Sequence, residues 1–361
     1  MPFQLPEYDL PDFKEESLAS APNVRMKPVV QEGVAPDEYH ATTIYPEYFK
    51  INGEWILVEQ SRMDCAVAWR EQGLEVIEQR KLKPGDKVIV GRTENGEEGI
   101  YVHTTGFQDA GEVGEKFVFR LGRTRETSYS RDYDVLYDLL RYERANGYVV
   151  WVLGPAVAFD SDSRDAMVAL INSGYVHTLL AGNALATHDL EAAIFGTALG
   201  QDIYTQKPVP HGHYNHLDTI NRARSAGSIA ELLNREGIRN GVMHACLEAQ
   251  IPVVLAGSIR DDGPLPGVIL DSTKAQDAMR EHTRKTTTLV GLATQLHSIA
   301  SGNMTPSYQV VDGKVRPVYV YAVDISEFAV DKLRDRGTLG VTSIVTNIQD
   351  FLVLLKRELV G

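Results

Sequence analysis

From Asp134 to Asn146 apolar residues recur at helical spacing, and after Gly147 the chain runs without a polar break from Tyr148 to Leu153. The same alternation continues to the C-terminus. Apolar runs stand at Val176–Leu180, Val253–Ala256, Thr287–Leu292, Val318–Val323 and Gly340–Val345, with helical patterns at Ser163–Asn172, Ser272–His282, Ser326–Arg336 and Ile348–Leu359. A strand apolar on every side is buried on both faces, and helices between such strands imply a parallel sheet with right-handed crossovers. Residues 126–361 are therefore expected to form a Rossmann-like, doubly wound α/β domain.

The earlier part of the chain has a different texture. Between Tyr45 and Gln60 apolar residues alternate on either side of Asn52-Gly53, the dipeptide that most readily takes the positive φ angles of a two-residue hairpin turn. Lys87–Val90, after Pro84-Gly85, and Gly99–His103, after Asn95-Gly96, are expected as a second pair of strands. Residues 41–125 thus predict a smaller, mostly-β domain, a barrel or a meander. Residues 1–40, rich in Pro and acidic groups, are expected as an N-terminal arm.

Composition narrows the function classes. A net charge of −13 over 361 residues repels phosphate backbones and anionic lipid, which argues against a nucleic-acid partner and suits a small cationic one. The two cysteines, Cys65 and Cys246, are far apart and in no CxxC pair, so neither a disulfide framework nor a structural zinc site is expected, and a reducing, cytoplasmic setting is. Met1–Glu16 has no basic start followed by an apolar run, and the apolar stretch Tyr148–Phe159 is broken by Gly154-Pro155 and too short to span a bilayer.

In a doubly wound sheet, ligands bind beyond the carboxyl ends of the strands. Four such loops carry chemistry. Gly154-Pro155-Ala156-Val157 lets backbone approach a phosphate, or serves as a plain turn, and no GxGxxG occurs anywhere. Asn183, in Ala181-Gly182-Asn183-Ala184, is placed either to cap the helix it opens or to bond a ligand. Gly257–Gly263 sets Arg260 beside the carboxylates Asp261 and Asp262, suited to ribose hydroxyls or a substrate ammonium, or to a solvated turn. Asp324, at the tip of Val318–Val323, is the position from which an acid accepts from ribose hydroxyls and so prefers NAD; it also suits a helix start. Most of the ten histidines fall between His177 and His297, densest in His211-Gly212-His213-Tyr214-Asn215-His216. No cysteine or nearby glutamate completes a metal set, so no metal is expected, and imidazoles there suit proton transfer.

At these same segments the chain resembles the archaeal-type ornithine cyclodeaminases, whose shared region is also called the LOR/SDH domain. The motifs are Glu59-Gln60-Ser61-Arg62-Met63-Asp64-Cys65, Gly154-Pro155-Ala156, Gly174-Tyr175-Val176, Leu180–Asp189, Ile220-Asn221, Gly227-Ser228-Ile229, Ala293–Ser298 and Gly302-Asn303-Met304. The same module forms the C-terminal half of cyanobacterial arginine dihydrolase fusions. Carried over by motif, the resemblance implies NAD contacts at Asn183, Ala184, Asp262, Thr294, Gln295, Leu296, His297, Asp324, Asn347 and Ile348.

It further implies conversion of ornithine to proline and ammonia with NAD recycled in place. That chemistry needs groups that deprotonate two ammoniums and hold a carboxylate. Asp64, His213, His216, Asp261 and His297 are the proton-transfer candidates, and Arg62, Arg260 and Asn215 the substrate-binding ones. An NAD-dependent amino-acid or opine-type dehydrogenase and a non-catalytic NAD-binding regulatory module are the competing readings. A homo-oligomer is expected.

Overall fold

The computed structural model of the chain describes residues 3–71, 73–107, 130–261, 263–325 and 339–361. The alternation around Asn52-Gly53 folds as an antiparallel hairpin in which Asn52 has φ 52° and Gly53 φ 84°. This hairpin belongs to the second of two antiparallel layers. One has the order β1 (Arg25–Pro28), β6 (Lys87–Val90), β4 (Ala66–Arg70), β5 (Gly73–Ile77); the other has β3 (Glu54–Leu57), β2 (Glu47–Ile51), β7 (Ile100–Val102). Phe49, Val58, Cys65, Val67, Val76, Ile89 and Ile100 fill the space between them.

The strands at 87–90 and 99–103 do not pair with each other. β6 lies between β1 and β4, and β7 lies on the edge of β2. The cause is the intervening loop: Glu98 accepts from the N–H groups of Arg92 and Thr93 and from Arg25, folding the chain back before β7 begins. The expected arm also takes part in this layer, since β1 pairs Met26 opposite Ile89. Nearer the start, Lys50 Nζ donates to the carbonyls of Ala19 and Ala21, each at 2.8 Å, and holds the short helical turn Glu16–Ala19 in place.

The second half contains β8 (Val149–Leu153), β9 (Thr178–Gly182), β10 (Thr197–Ala198), β11 (Gln201–Asp202), β12 (Val253–Ala256), β13 (Thr288–Leu292), β14 (Tyr308–Val311), β15 (Lys314–Pro317), β16 (Tyr319–Asp324) and β17 (Val341–Val345). Its helices are α1 (Ser130–Asn146), α2 (Ser161–Asn172), α3 (Asn183–Phe195), α4 (Asn215–Ala226), α5 (Ile229–Arg235), α6 (Val242–Glu248), α7 (Ser272–Thr283), α8 (Gln295–Met304) and α9 (Ile348–Leu359). Six strands form one parallel sheet in the order β12-β9-β8-β13-β16-β17. In chain order this is 3-2-1-4-5-6, so the direction of winding reverses between β8 and β13. Every residue of β8 is buried, and each Val or Leu so enclosed contributes roughly 1.5–3 kcal/mol. The helix expected at 326–336 lies outside the described residues, and no helix among those described is long and apolar enough to cross a membrane.

α3 departs from the usual amphipathic helix. It is buried on nearly every side and lies over the 3₁₀ turn Pro155–Ala158, against α4, rather than flat on the sheet. Asp189 in its middle pairs with Arg164 of α2 at 2.7 Å and accepts from the N–H groups of Val242 and Met243 at the start of α6. The β layers dock at the other edge of the sheet, where the strands begin. There Ser307 N donates to Ser61 O at 3.2 Å, Tyr308 donates to Val58 O, and Arg280 of α7 meets Glu78 at 2.7 Å.

Candidate active site

At the carboxyl edge of the sheet the winding reverses between β8 and β13, the place where the ligand crevice lies in sheets of this kind. Gly154, leaving β8, donates its N–H to Leu292 O at 2.8 Å, and a Cβ on it would stand 1.9 Å from Ala293 O. Only glycine permits this contact between the β8 and β13 loops. Ala293 itself has φ 48°, a left-handed conformation that a Cβ disfavours. One strand away, a Cβ on Gly182 would come within 2.8 Å of His297 Cε1, so the end of β9 and the first turn of α8 also meet.

Helix starts around this edge fall into two kinds. α2, α7 and α9 are closed by their own side chains, Asp160, Asp271 and Asn347, each accepting a backbone N–H of the first turn. α3 and α8 are not: Gly182 and Thr294 stand at their N-caps without a side-chain bond. Open N–H groups on a helix dipole attract anions, and these two starts face the crevice. Gly154 opens no helix. Pro155 follows it in a 3₁₀ turn, and α2 begins only at Ser161, already capped.

The structure places the predicted residues in three groups. At the crevice stand Asn183, Ala184, Asp261, Thr294, Gln295, Leu296, His297 and Asp324, with Asn347 and Ile348 one strand further on. Asn183 does not cap α3; its Oδ1 accepts from Leu265 N at 3.0 Å and so ties the loop after β12 to the helix. His297 is half-buried, and burial pushes its imidazole below the ordinary value, opposed by the nearby Asp261 carboxylate. Asp261 accepts from Ser258 N at 2.7 Å, Arg260 is exposed on the same turn, and Asp262 lies outside the described residues. Asp324 ends β16 with its carbonyl bonded to Thr346 N at 3.1 Å. Ile348 is a core residue of α9.

The second group flanks α3. Asn215 opens α4 and donates to Thr197 Oγ1 at 2.8 Å, His216 follows it half-buried, and His213 is exposed against the Tyr214 ring. The third group is remote. Arg62 is 2% exposed and is bonded to Glu78 and to Gln60 O, while Asp64 is exposed with φ 64°. Both sit in the β layer docked where the strands begin, a strand's length of about 17–20 Å from the carboxyl edge.

Sequence reasoning left one constellation unassigned. Glu191 is fully buried, and four donors converge on its carboxylate: His188 Nδ1 at 2.8 Å, Thr197 Oγ1 at 2.8 Å, Leu199 N at 3.2 Å and Gly200 N at 3.3 Å. The available signal was a histidine and a glutamate one helical turn apart on a predicted helix.

A parallel sheet wound 3-2-1-4-5-6, with uncapped helix starts after β9 and β13 and an acidic tip on β16, defines a dinucleotide-binding protein of the Rossmann class. The particular family follows from comparison with known proteins. Residues 134–355 match the family described as Arginine dihydrolase ArgZ-like, C-terminal, Rossmann fold, and residues 46–124 match that described as Arginine dihydrolase ArgZ-like, C-terminal, first region. The chain belongs to this family. It is 39% identical to the ornithine cyclodeaminase of Methanopyrus kandleri across 93% of this chain and 78% of that one. A crystal structure of a conserved putative LOR/SDH protein from Methanococcus maripaludis superposes with a TM-score of 0.80 at 34% identity, covering 94% of this chain and 98% of that one. The ternary complex of AgrE with ornithine and NAD+ superposes with a TM-score of 0.56 at 38% identity, covering 97% of this chain and 47% of the longer AgrE chain.

Proposed function

We propose that this protein is an ornithine cyclodeaminase that converts L-ornithine to L-proline and ammonia, with NAD held at the switch-point crevice and left unchanged at the end of each cycle. The observation that supports it most is the pair of open helix starts beside Gly154, in a chain 38% identical to an enzyme solved with both ornithine and NAD+. The donor set fits the cofactor. The starts of α3 and α8 offer N–H groups to a diphosphate, and Asp324 offers a carboxylate to ribose hydroxyls. Bound NAD would supply the oxidation at Cα and the later reduction of the cyclic imine.

The chain's own part is binding, orientation and proton transfer. Asp261 lies at the β12 end of the crevice and suits an ammonium. Arg260, which makes no ion pair among the described residues, suits the carboxylate, whereas Arg62 is engaged by Glu78. His297, whose imidazole burial pushes below its ordinary value, stands against Gly182 at the same edge and suits contact with the cofactor. Purified protein with L-ornithine and a trace of NAD is expected to yield proline and ammonia in equal amounts with no accumulating NADH. NADH formed in step with ornithine consumed would overturn this in favour of a dehydrogenase.

A further inference from the structure

The face of α3 that begins at the crevice with Ala184 continues with His188 and Glu191, at i, i+4 and i+7. His188 therefore lies about 6 Å along the helix axis from the crevice residue Ala184. Its ring packs edge-on against Phe159, just past the 3₁₀ turn that follows β8, at a centroid distance of 5.6 Å.

Three features set this histidine apart from a merely buried one. First, its tautomer is fixed. Thr197 Oγ1 accepts a hydrogen bond from Asn215 and donates its own to Glu191, and the other two contacts are backbone N–H donors. Glu191 is thus a pure acceptor, so His188 Nδ1 carries the hydrogen and the neutral ring keeps its lone pair on Nε2. Second, His188 is 7% exposed, yet its Nε2 has no hydrogen bond among the described residues and is not among their enclosed unpartnered atoms. That nitrogen faces a small opening. Third, the ring of His216 lies 6.2 Å away, and its Nδ1 is enclosed with no partner. A carboxylate that orients one imidazole nitrogen so that the other acts on a substrate is the arrangement used wherever histidine serves as a positioned base.

We propose that His188 is the group that exchanges a proton with the substrate's amines, and that Glu191 is its positioning residue; this rests on the cyclodeaminase reading above. Ornithine with both amines protonated and its carboxylate ionised has the same atoms and charge as proline plus ammonium, so the cycle consumes no net proton. A base that breaks an N–H bond of the α-ammonium must return that proton to the departing ammonia. Neutral His188 becomes imidazolium in the first event and neutral again in the second, which suits imidazole better than either a carboxylate or an amine at neutral pH.

The test uses the whole protein. His188→Asn keeps a donor toward Glu191 while removing Nε2. It should melt at the wild-type temperature and bind NADH as wild type does, yet lose about 10²–10⁴-fold in kcat and lose the acid limb of the kcat pH profile. Glu191→Gln should lose less and move that limb to lower pH. As a check independent of any variant, the ring nitrogen signals of His188 should shift when ornithine is added to the NADH complex. A His188→Asn enzyme with wild-type kcat and an intact acid limb would overturn the inference, as would ring signals that ornithine leaves unmoved. A wild-type protein that makes no proline from ornithine would overturn the cyclodeaminase reading together with it.

Discussion

At the scale of single residues, the crevice rests on a few positions where no other side chain serves. Gly154→Ala would force the β8 and β13 loops apart, because the new methyl has Ala293 O within 1.9 Å. The expected cost is about 1–3 kcal/mol of stability with weaker NADH binding, read by thermal unfolding and by fluorescence titration. Asp324→Asn removes the charged acceptor at the β16 tip. Loss of a hydrogen bond to a charged group, roughly 1.5–3 kcal/mol, predicts NAD affinity falling by about one to two orders of magnitude, with the 2′-phosphorylated cofactor affected less. Asn183 and Asp324 were singled out in the sequence because strand ends in a doubly wound sheet are where ligands bind, whereas Thr294 and His297 came only from the family resemblance. The closeness of Gly182 to His297 was not legible, since it depends on how two loops over a hundred residues apart in sequence meet.

Among elements, α3 has the largest consequences. Its Asp189 holds Arg164 of α2 and caps α6, so three helices depend on one carboxylate that is 1% exposed. Asp189→Ala leaves Arg164 buried and unpaired, and should destabilise the fold by about 3–5 kcal/mol, measured by chemical denaturation. A second expectation concerns the foot of the sheet. Tyr148 lies between the rings of His177 and His282, and its hydroxyl is 2.9 Å from His282 Nδ1. Burial lowers both imidazoles from their ordinary 6.5, so the unfolded chain binds these protons first as pH falls. The stability they confer is complete above pH 6.5 and declines below it; His282→Asn should flatten the fall of Tm on that side. The sequence pattern predicted these strands and α7 because their apolar periodicity is strong. It missed the pairing of β6 and β7, where the fold-back of the Glu98 loop, rather than strand propensity, decides which edge each strand joins.

For the whole molecule, the layered arrangement separates two sets of residues that the sequence motifs had grouped together. The segment Gln60–Cys65 docks beside Ser307 and Glu78, where the strands begin, and the residues proposed to hold the nucleotide stand where they end. Glu78 lies between Arg62 and Arg280; burial raises its carboxyl, and the two guanidiniums outweigh burial and lower it. Glu78→Gln should therefore loosen the β layers from the α/β sheet, visible as earlier unfolding, while the crevice keeps its affinity for NADH. The fold class was readable from periodicity. The docking of the β layers where the strands begin was not, because it depends on how elements distant in sequence meet. The central claim is that the hydrogen at Cα of ornithine leaves and returns within one site. The most direct measurement is to supply ornithine deuterated at Cα in ordinary water with a trace of NAD and to locate the label by mass spectrometry. Proline that keeps the deuterium at Cα is the predicted result, and unlabelled proline, or label accumulating in reduced cofactor beside an oxidised product, would contradict it.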